Sequence, residues 1–266
     1  MELIDDFIEV AGHRLHYRLI DPHLEATPIV FLHEGLGSIE LWRDFPDQVV
    51  ERSGHPGLIF SRYGYGWSDP LTEPRAVNYM HVEAAEVLPI LVDRLLGRPP
   101  ILIGHSDGAS IAIIYAGSGH PIAGLVLLAP HVFTEAEGIN TIAAVHASFP
   151  GSEMSTKMSK YHADPEATFY GWADIWLSPE FGAWNLEPYL PEIGCPVLLI
   201  QSEEDEYGSL RQLDAIESQV GGSIERLMVS GSGHSPHLID PEAVTAATVR
   251  FVAAVQGPAT GRRLST

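Results

Sequence analysis

Residues 101–110, Ile-Leu-Ile-Gly-His-Ser-Asp-Gly-Ala-Ser, run from an apolar, strand-like segment straight into a serine that stands between two glycines. A sharp strand-to-helix turn would force Ser106 into a strained backbone conformation, so close packing requires flanking residues without β-carbons. The pattern G-x-S-x-G between a strand and a helical segment is typical of a nucleophile that projects from the edge of a sheet. The alternative interpretation of so short a match is a glycine-rich connector without chemistry.

Short apolar runs bounded by helix breakers recur along the chain, and they fit strands buried on both faces of a mainly parallel sheet. These runs are 28–32, 57–60, 100–103, 122–129, 196–200 and 224–229. The alternating segments 7–10 and 15–20 predict a hairpin at the edge of the sheet. Helical spacing over 79–96 and 210–220, and a last helix that begins at Asp240-Pro241, alternate with the strands. We therefore predict a doubly wound α/β domain.

The alternation of strand and helix stops over residues 131–190, where Pro and Gly breaks and three tryptophans occur among short helical pieces. We interpret this segment as a helical cap inserted over the carboxyl edge of the sheet, where open α/β sheets bind ligands. Residues 1–130 and 191–256 then form the core. Residues 257–266 are expected to be a loose tail.

The chain of 266 residues carries 35 Asp and Glu against 15 Lys and Arg, a formal net charge of -20. Such a charge repels phosphate backbones and anionic lipids, so we expect neither nucleic acid nor membrane as a partner. The apolar runs are shorter than the roughly 20 residues of a membrane span, and the first residues lack the basic region of a signal peptide. We expect a soluble cytoplasmic monomer or homodimer. The single cysteine, Cys195, excludes an internal disulfide and is expected to be a small buried filler.

A serine nucleophile needs a base and an orienting acid, which in this geometry follow in the order serine, acid, histidine. His234 lies in the glycine-rich loop 230–237 after the last predicted strand, and Asp205 lies in the acidic loop 201–208 after the preceding one. His237 is the alternative base, but it lies further from the glycines. Glu204 is the alternative acid.

Several segments together resemble the α/β-hydrolase superfamily, and the resemblance covers residues 7–255. Besides the serine turn they are His-Glu-Gly-Leu-Gly-Ser at 33–38, Ser-Arg-Tyr-Gly-Tyr-Gly-Trp-Ser-Asp at 61–69, the acid loop, and Gly233-His234 followed by Pro241-Glu242. The chain is most similar to small, capped, esterase-like members with an eight-stranded sheet. The resemblance implies Ser106 as nucleophile, His234 as base and Asp205, rather than Glu204, as acid.

Acyl transfer creates an oxyanion, and each backbone N–H aimed at it contributes about 3 kcal/mol. The resemblance places these donors at Gly35, with Leu36 as the neighbouring possibility, and at Asp107. Glu34 interrupts the usual His-Gly pair, which leaves open which amide of the loop donates. A carboxylate on Asp107 would oppose the oxyanion if it faced the pocket, so we expect it to face away and to stabilise the helix N-terminus.

The expected cap begins with His131 and Phe133, which should overhang the site. Trp172, Trp176 and Trp184 are candidates for the pocket wall, although aromatic residues at such spacing more often form a core. The histidines at 33, 105 and 131 lack metal-ligand spacing, so we expect no metal and no cofactor.

The function predicted from these residues is hydrolysis of a small to medium carboxylic ester through an acyl-enzyme. The same residues serve lactones, carbon-carbon bonds next to a ketone, and peroxide-dependent acyl transfer. The serine disfavours chemistry on epoxides or alkyl halides, and the absence of a His-Gly-Gly-Pro-Gly stretch disfavours a proline iminopeptidase. The alternative of another class is a receptor-like binding protein with a mobile cap. The negative charge favours neutral or cationic substrates.

Overall fold

A twisted sheet of eight strands, in the order β1-β2-β4-β3-β5-β6-β7-β8, organises the computed structural model, which describes residues 1–255. The strands are β1 Leu3–Val10, β2 His13–Ile20, β3 Ile29–Leu32, β4 Gly57–Phe60, β5 Ile101–His105, β6 Gly124–Leu128, β7 Val197–Glu204 and β8 Ile224–Ser232. Strands β1, β2 and β4 pair antiparallel, and the remaining pairs are parallel. The predicted edge hairpin and the mainly parallel sheet are confirmed. The predicted tail at 257–266 lies outside the described residues.

Helices connect most of the strands, as the alternating sequence pattern predicts. They are α1 Phe45–Ser53, α2 Tyr79–Val82, α3 Leu88–Leu91, α4 Asp107–Gly117, α5 Ala136–Ser148, α6 Glu153–Met158, α7 Pro165–Trp176, α8 Arg211–Gln219, α9 Pro236–Ile239 and α10 Pro241–Ala254. The π-helical turns Glu83–Val87 and Val92–Leu96 follow α2 and α3, so that 79–96 is helical throughout. At the start of α10 the side chain of Asp240 accepts the N–H of Ala243 at 3.0 Å, which is the predicted cap.

The central strands are buried on both faces, which explains their continuous apolar sequences. In β3, Val30 and Leu32 pack on the face covered by α2, α3 and α4. Ile29 and Phe31 point to the opposite face and pack against α1 and α10. The sheet therefore has a helical layer on each side.

The carboxyl ends of the parallel strands meet at one edge of the sheet. The loop 33–38 follows β3, Ser106 follows β5, Asp205 follows β7, and His234 follows β8. Helices α5, α6 and α7 are inserted between β6 and β7. The fold thus gathers the predicted chemical groups from four separate parts of the chain at the edge where such sheets bind ligands.

The turn from β5 into α4 is sharp and strained. Ser106 has φ 53° and ψ -116°, a conformation that L-residues rarely adopt. A β-carbon on Gly104 would overlap the backbone of Gly108, and one on Gly108 would overlap the carbonyl of Leu32. Close packing of α4 against β3 and β5 is therefore possible only with glycine on both sides of the serine.

A second buried feature is a neutral histidine in the core beside this edge. Helix α9 places the ring of His237 against those of Trp42, Phe45 and His105, with centroids 5.2, 5.4 and 5.1 Å away. Burial, with a smaller contribution from the neighbouring ring of His105, lowers the pKa of His237 to about 3. His237 is therefore a packing residue here.

Replacement of Gly108 by alanine should destabilise the protein, because overpacking of a close contact costs about 1–3 kcal/mol. This cost should exceed the gain in helix propensity of about 1 kcal/mol that alanine brings. Urea unfolding monitored by circular dichroism measures the difference. Gly182→Ala is the matched control, since a β-carbon there meets nothing within 4 Å. Equal unfolding midpoints for both variants would contradict the close contact.

Replacement of His237 by phenylalanine should make stability less dependent on pH. Between its folded pKa of about 3 and the ordinary value of 6.5, His237 binds a proton only in the unfolded chain, so acid favours unfolding. Above 6.5 it is neutral in both states. His237→Phe should therefore stabilise the protein more at about pH 5 than at about pH 7.5, as chemical unfolding at the two pH values can measure. An equal change in the free energy of unfolding at the two pH values would contradict a neutral, buried His237.

Candidate active site

Ser106, His234 and the loop after β3 line one cavity of about 430 Å³ at the carboxyl edge of the sheet. Ser106 is only 7% exposed, because the turn holds it between β5 and α4. Gly35 and Leu36 contribute to the wall beside it. The cavity thus brings together the predicted nucleophile, base and loop donors.

The imidazole of His234 is oriented by Asp205. Nδ1 of His234 lies 2.9 Å from both carboxylate oxygens of Asp205, and the N–H of Tyr207 donates to the same carboxylate at 2.9 Å. Burial alone would raise the pKa of Asp205, but the hydrogen bond and charge of His234 lower it. The carboxylate is therefore ionised, and an Nδ1–H bound to it leaves the lone pair on Nε2 of His234.

The hydroxyl of Ser106 and the ring of His234 share this cavity, although no hydrogen bond joins their side chains within residues 1–255. Such contacts are commonly loose before substrate binds. Glu204, the alternative acid, is exposed. The acid that bonds to the predicted base is Asp205.

The carboxylate of Asp107 is buried and points away from the cavity. It accepts a hydrogen bond from the hydroxyl of Tyr79 and lies 3.8 Å from Nη2 of Arg62. Burial raises the pKa of Asp107, and Arg62 and Tyr79 offset part of this effect. Asp107 is also the first residue of α4, so its N–H has no acceptor within the helix.

Two buried side chains fix the loop after β3. Arg62 donates to the carbonyl of Glu34 at 2.9 Å. His33 donates from Nδ1 to the same carbonyl at 2.7 Å and accepts the N–H of Arg62 on Nε2 at 3.1 Å. These bonds set the direction of the next peptide groups, those of Gly35 and Leu36.

The inserted helices supply much of the cavity wall. His131, Trp172 and Trp176 line it, and the indole of Trp172 lies so close to Gly35 that a β-carbon there would overlap it. Phe133 and Trp184 lie outside this cavity and instead line a separate surface groove. Whether an aromatic residue of this segment lines the cavity depends on the path of the chain. Residue type alone does not show that path.

Sequence analysis did not single out the remaining lining residues. They are the apolar side chains of Ile139, Ile142, Met154, Leu238 and Ile239, the ring of Tyr207, the acidic residues Glu135 and Glu206, and Gly138 and Ser235. Glu34, which interrupts the usual His-Gly pair, lines the cavity as well. The apolar pair at 139 and 142, one helical turn apart, is the signal that could have indicated a pocket-facing side of α5. No Lys or Arg lines the cavity in the described part of the chain.

His131 is a second histidine in the wall, and it is neutral. Nε2 lies 3.2 Å from the carbonyl of Tyr207, to which it donates, and the carbonyl of His131 accepts the hydroxyl of Ser110 at 2.7 Å. Burial, with a smaller contribution from the neighbouring ring of His234, lowers the pKa of His131 to about 4. Nδ1 of His131 is therefore unprotonated, and it is buried without a hydrogen-bond partner among the described residues.

Cys195 lies away from this cavity, and burial raises the pKa of its thiol to about 11. Among residues 1–255 no three His, Cys, Asp or Glu side chains form a group that could hold a metal ion. Within the same range, every helix is too short or too polar to cross a bilayer.

Comparison with known proteins places this geometry in a family. A proline iminopeptidase of Lactobacillus helveticus (strain DPC 4571) is 29% identical over 121 residues, so the match spans 46% of this chain but only 41% of that relative's length. An esterase from Exiguobacterium antarcticum superposes with a TM-score of 0.71 at 20% identity, covering 94% of this chain and 99% of the other. The 2-hydroxy-6-oxo-6-phenylhexa-2,4-dienoate hydrolase of Rhodococcus sp. strain RHA1 superposes with a TM-score of 0.77 at 15% identity, covering 95% and 99%.

The model of the alpha/beta hydrolase family matches residues 29–247, which is most of the chain. The predicted superfamily is therefore confirmed: the chain belongs to the alpha/beta hydrolase family.

Proposed function

We propose that this protein is a serine hydrolase that cleaves small to medium carboxylic esters through an acyl-enzyme. The observation that carries the proposal is the strained Ser106 at the wall of a cavity that His234 also lines, with Asp205 hydrogen-bonded to the ring of His234. The cavity volume lies in the range of roughly 300–1,000 Å³ that is usual for small-molecule sites. An enzyme is favoured over a binding protein because each of these groups has a role in one reaction.

In the proposed reaction Oγ of Ser106 attacks the ester carbonyl while Nε2 of His234 takes the proton. Asp205 stabilises the imidazolium that forms, and His234 then protonates the departing alcohol. Water, activated by the same Nε2, attacks the acyl-enzyme and releases the acid. The proton returns to Ser106, so His234 and Ser106 end the cycle as they began.

The oxyanion is bound, in this proposal, by backbone N–H groups at the positive end of α4 and in the loop after β3. The donors are Asp107 and either Gly35 or Leu36. Because the side chain of Asp107 is turned toward Arg62 and Tyr79, its carboxylate does not confront the oxyanion. Preorganised amides of this kind contribute about 3 kcal/mol each.

We further propose that residues 131–190 form a cap over the cavity. Helices α5 and α7 supply Ile142, Trp172 and Trp176 to its wall. The ring of His162 donates from Nε2 to the carbonyl of Leu36 at 3.1 Å and accepts the N–H of Gly66 on Nδ1 at 3.0 Å. The first of these hydrogen bonds joins the segment to the loop that, in this proposal, binds the oxyanion.

Lactones and carbon-carbon bonds next to a ketone remain the alternative substrates, since the same groups can serve them. The two similar structures described above are named as an esterase and a 2-hydroxy-6-oxo-6-phenylhexa-2,4-dienoate hydrolase, and at such identity they indicate the fold alone. Aminopeptidase activity is not part of the proposal, because the chain lacks a His-Gly-Gly-Pro-Gly stretch and matches only part of the iminopeptidase.

Replacement of Ser106 by alanine should lower kcat for ester hydrolysis by about 10⁴-fold or more, because the residues of such a triad act as a unit. The measurement is release of p-nitrophenol from acetate, butyrate, octanoate and decanoate esters. Ser118→Ala, an exposed serine after α4, is the matched control and should retain activity. Full turnover by Ser106→Ala would exclude the mechanism. The receptor-like alternative would be favoured if the wild-type protein hydrolysed none of these esters and a ligand nevertheless shifted its melting temperature.

The carboxylate of Glu206 at the cavity wall should favour cationic over anionic esters. We expect kcat/KM at low salt to fall from butyrylcholine, through its uncharged carbon analogue, to an analogue with a carboxylate at the same place. One carboxylate near contact in water contributes about 1 kcal/mol, or roughly fivefold. Glu206→Gln should reduce this preference, whereas Glu203→Gln, an exposed residue of the same loop, should not. Equal rates for all three esters would contradict the prediction.

A further inference from the structure

His105, the residue before the nucleophile, faces a hydrogen-bond acceptor with each of its ring nitrogens. Nε2 lies 2.8 Å from the carbonyl oxygen of His234, and Nδ1 lies 3.3 Å from Oε2 of Glu34. The ring is only 1% exposed, so water cannot replace either partner. A neutral imidazole donates through one nitrogen only, which would leave the other lone pair against an oxygen.

The surroundings of His105 favour its charged form. Glu34 contributes the carboxylate, while the rings packed against His105 are those of Trp42, His234 and His237. His237 is neutral at ordinary pH. Burial lowers the pKa of His105, but the hydrogen bond and charge of Glu34 outweigh it and raise the pKa. The pKa of Glu34 is held well below its usual range by the same pair, against the effect of burial.

We propose that Glu34, at the cavity wall, and a buried, doubly protonated His105 form an ion pair that positions the backbone of His234 for proton transfer with Ser106. The inference rests on the proposed function of Ser106 and His234. It assigns Glu34, the residue that interrupts the usual His-Gly pair, a role as a positioning residue. The pair joins the loop after β3, the serine turn and the loop after β8.

The loop of His234 needs such an anchor. Gly231 and Gly233 stand at φ 118° and 125°, conformations open to glycine and rarely to other residues. A loop of this kind loses more conformational entropy when it is ordered than one built from other residues. A charge-assisted bond from His105 to the carbonyl of His234 is roughly twice as strong as a neutral one, and it acts on the residue whose ring must meet Ser106.

The protonation state of His105 is measured directly by ¹⁵N NMR of the histidine rings at about pH 7.5, where a histidine of ordinary pKa is largely neutral. The inference expects two protonated nitrogens for His105 in the wild type and a neutral ring in Glu34→Gln. His105→Gln assigns the signal. A neutral His105 in the wild type would overturn the inference, and this readout needs no substrate.

Kinetics separates positioning from substrate binding. Glu34→Gln should lower kcat by about tenfold to a hundredfold, as small misplacements of a catalytic group do, with little change in KM. A double variant, Glu34→Gln with His105→Gln, should lose no more than the worse single variant, because the pair acts as a unit. Additive losses, or an effect on KM alone, would contradict the positioning role. Glu40→Gln, which alters an ion pair with Arg18 outside the cavity, is the matched control.

The pH dependence of kcat distinguishes a positioning role of Glu34 from a merely structural one, because a structural role would not shift it. The pair is intact below the raised pKa of His105 and is lost as pH rises through it. The alkaline fall in kcat should therefore shift to lower pH in Glu34→Gln, and an unshifted fall would count against the inference. Failure of the proposed function is distinct: wild-type Ser106 would then react neither with esters nor with a fluorophosphonate, whatever the state of His105.

Discussion

The close approach of α4 to the ends of β3 and β5 is the constraint on which the rest of the site depends. Gly108 lies against the carbonyl of Leu32, and this contact leaves Ser106 in a conformation that few residues tolerate. The strain is held by the buried sheet on one side and by an almost wholly buried helix on the other. Buried secondary-structure elements thus fix Ser106, whereas His234, the base that we propose, lies in the loop after β8.

Negative charge beside the serine is the unusual feature of this chain. Hydrolysis of an ester creates an oxyanion, yet Glu34 and Asp107 both stand next to the amides that we propose bind it. A buried cationic side chain lies beside each carboxylate: the ring of His105 beside Glu34, and the guanidinium of Arg62 beside Asp107. The two acids are therefore locally compensated, and the N–H groups of the turn can act on the substrate without opposition.

Local patterns were sufficient for the fold and for the order of the chemical groups. The strand runs, the Asp240 cap and the glycines around Ser106 depend on neighbours in sequence, and the structure has each of them. The partner of Glu34 lies 71 residues away, so no local pattern could pair it with His105. The same limit applies to Phe133 and Trp184, whose sequence position resembles that of lining residues but whose side chains face another groove.

The bond from His162 to the carbonyl of Leu36 joins the segment 131–190 to the loop after β3. The segment 131–190 enters and leaves the sheet between two neighbouring strands, β6 and β7, so it could be exchanged for a foreign one without disturbing strand order. Such an exchange would replace the residues that this segment contributes to the cavity wall. It would also have to supply a donor for the carbonyl of Leu36, because this hydrogen bond joins the cavity wall to the loop that we propose binds the oxyanion.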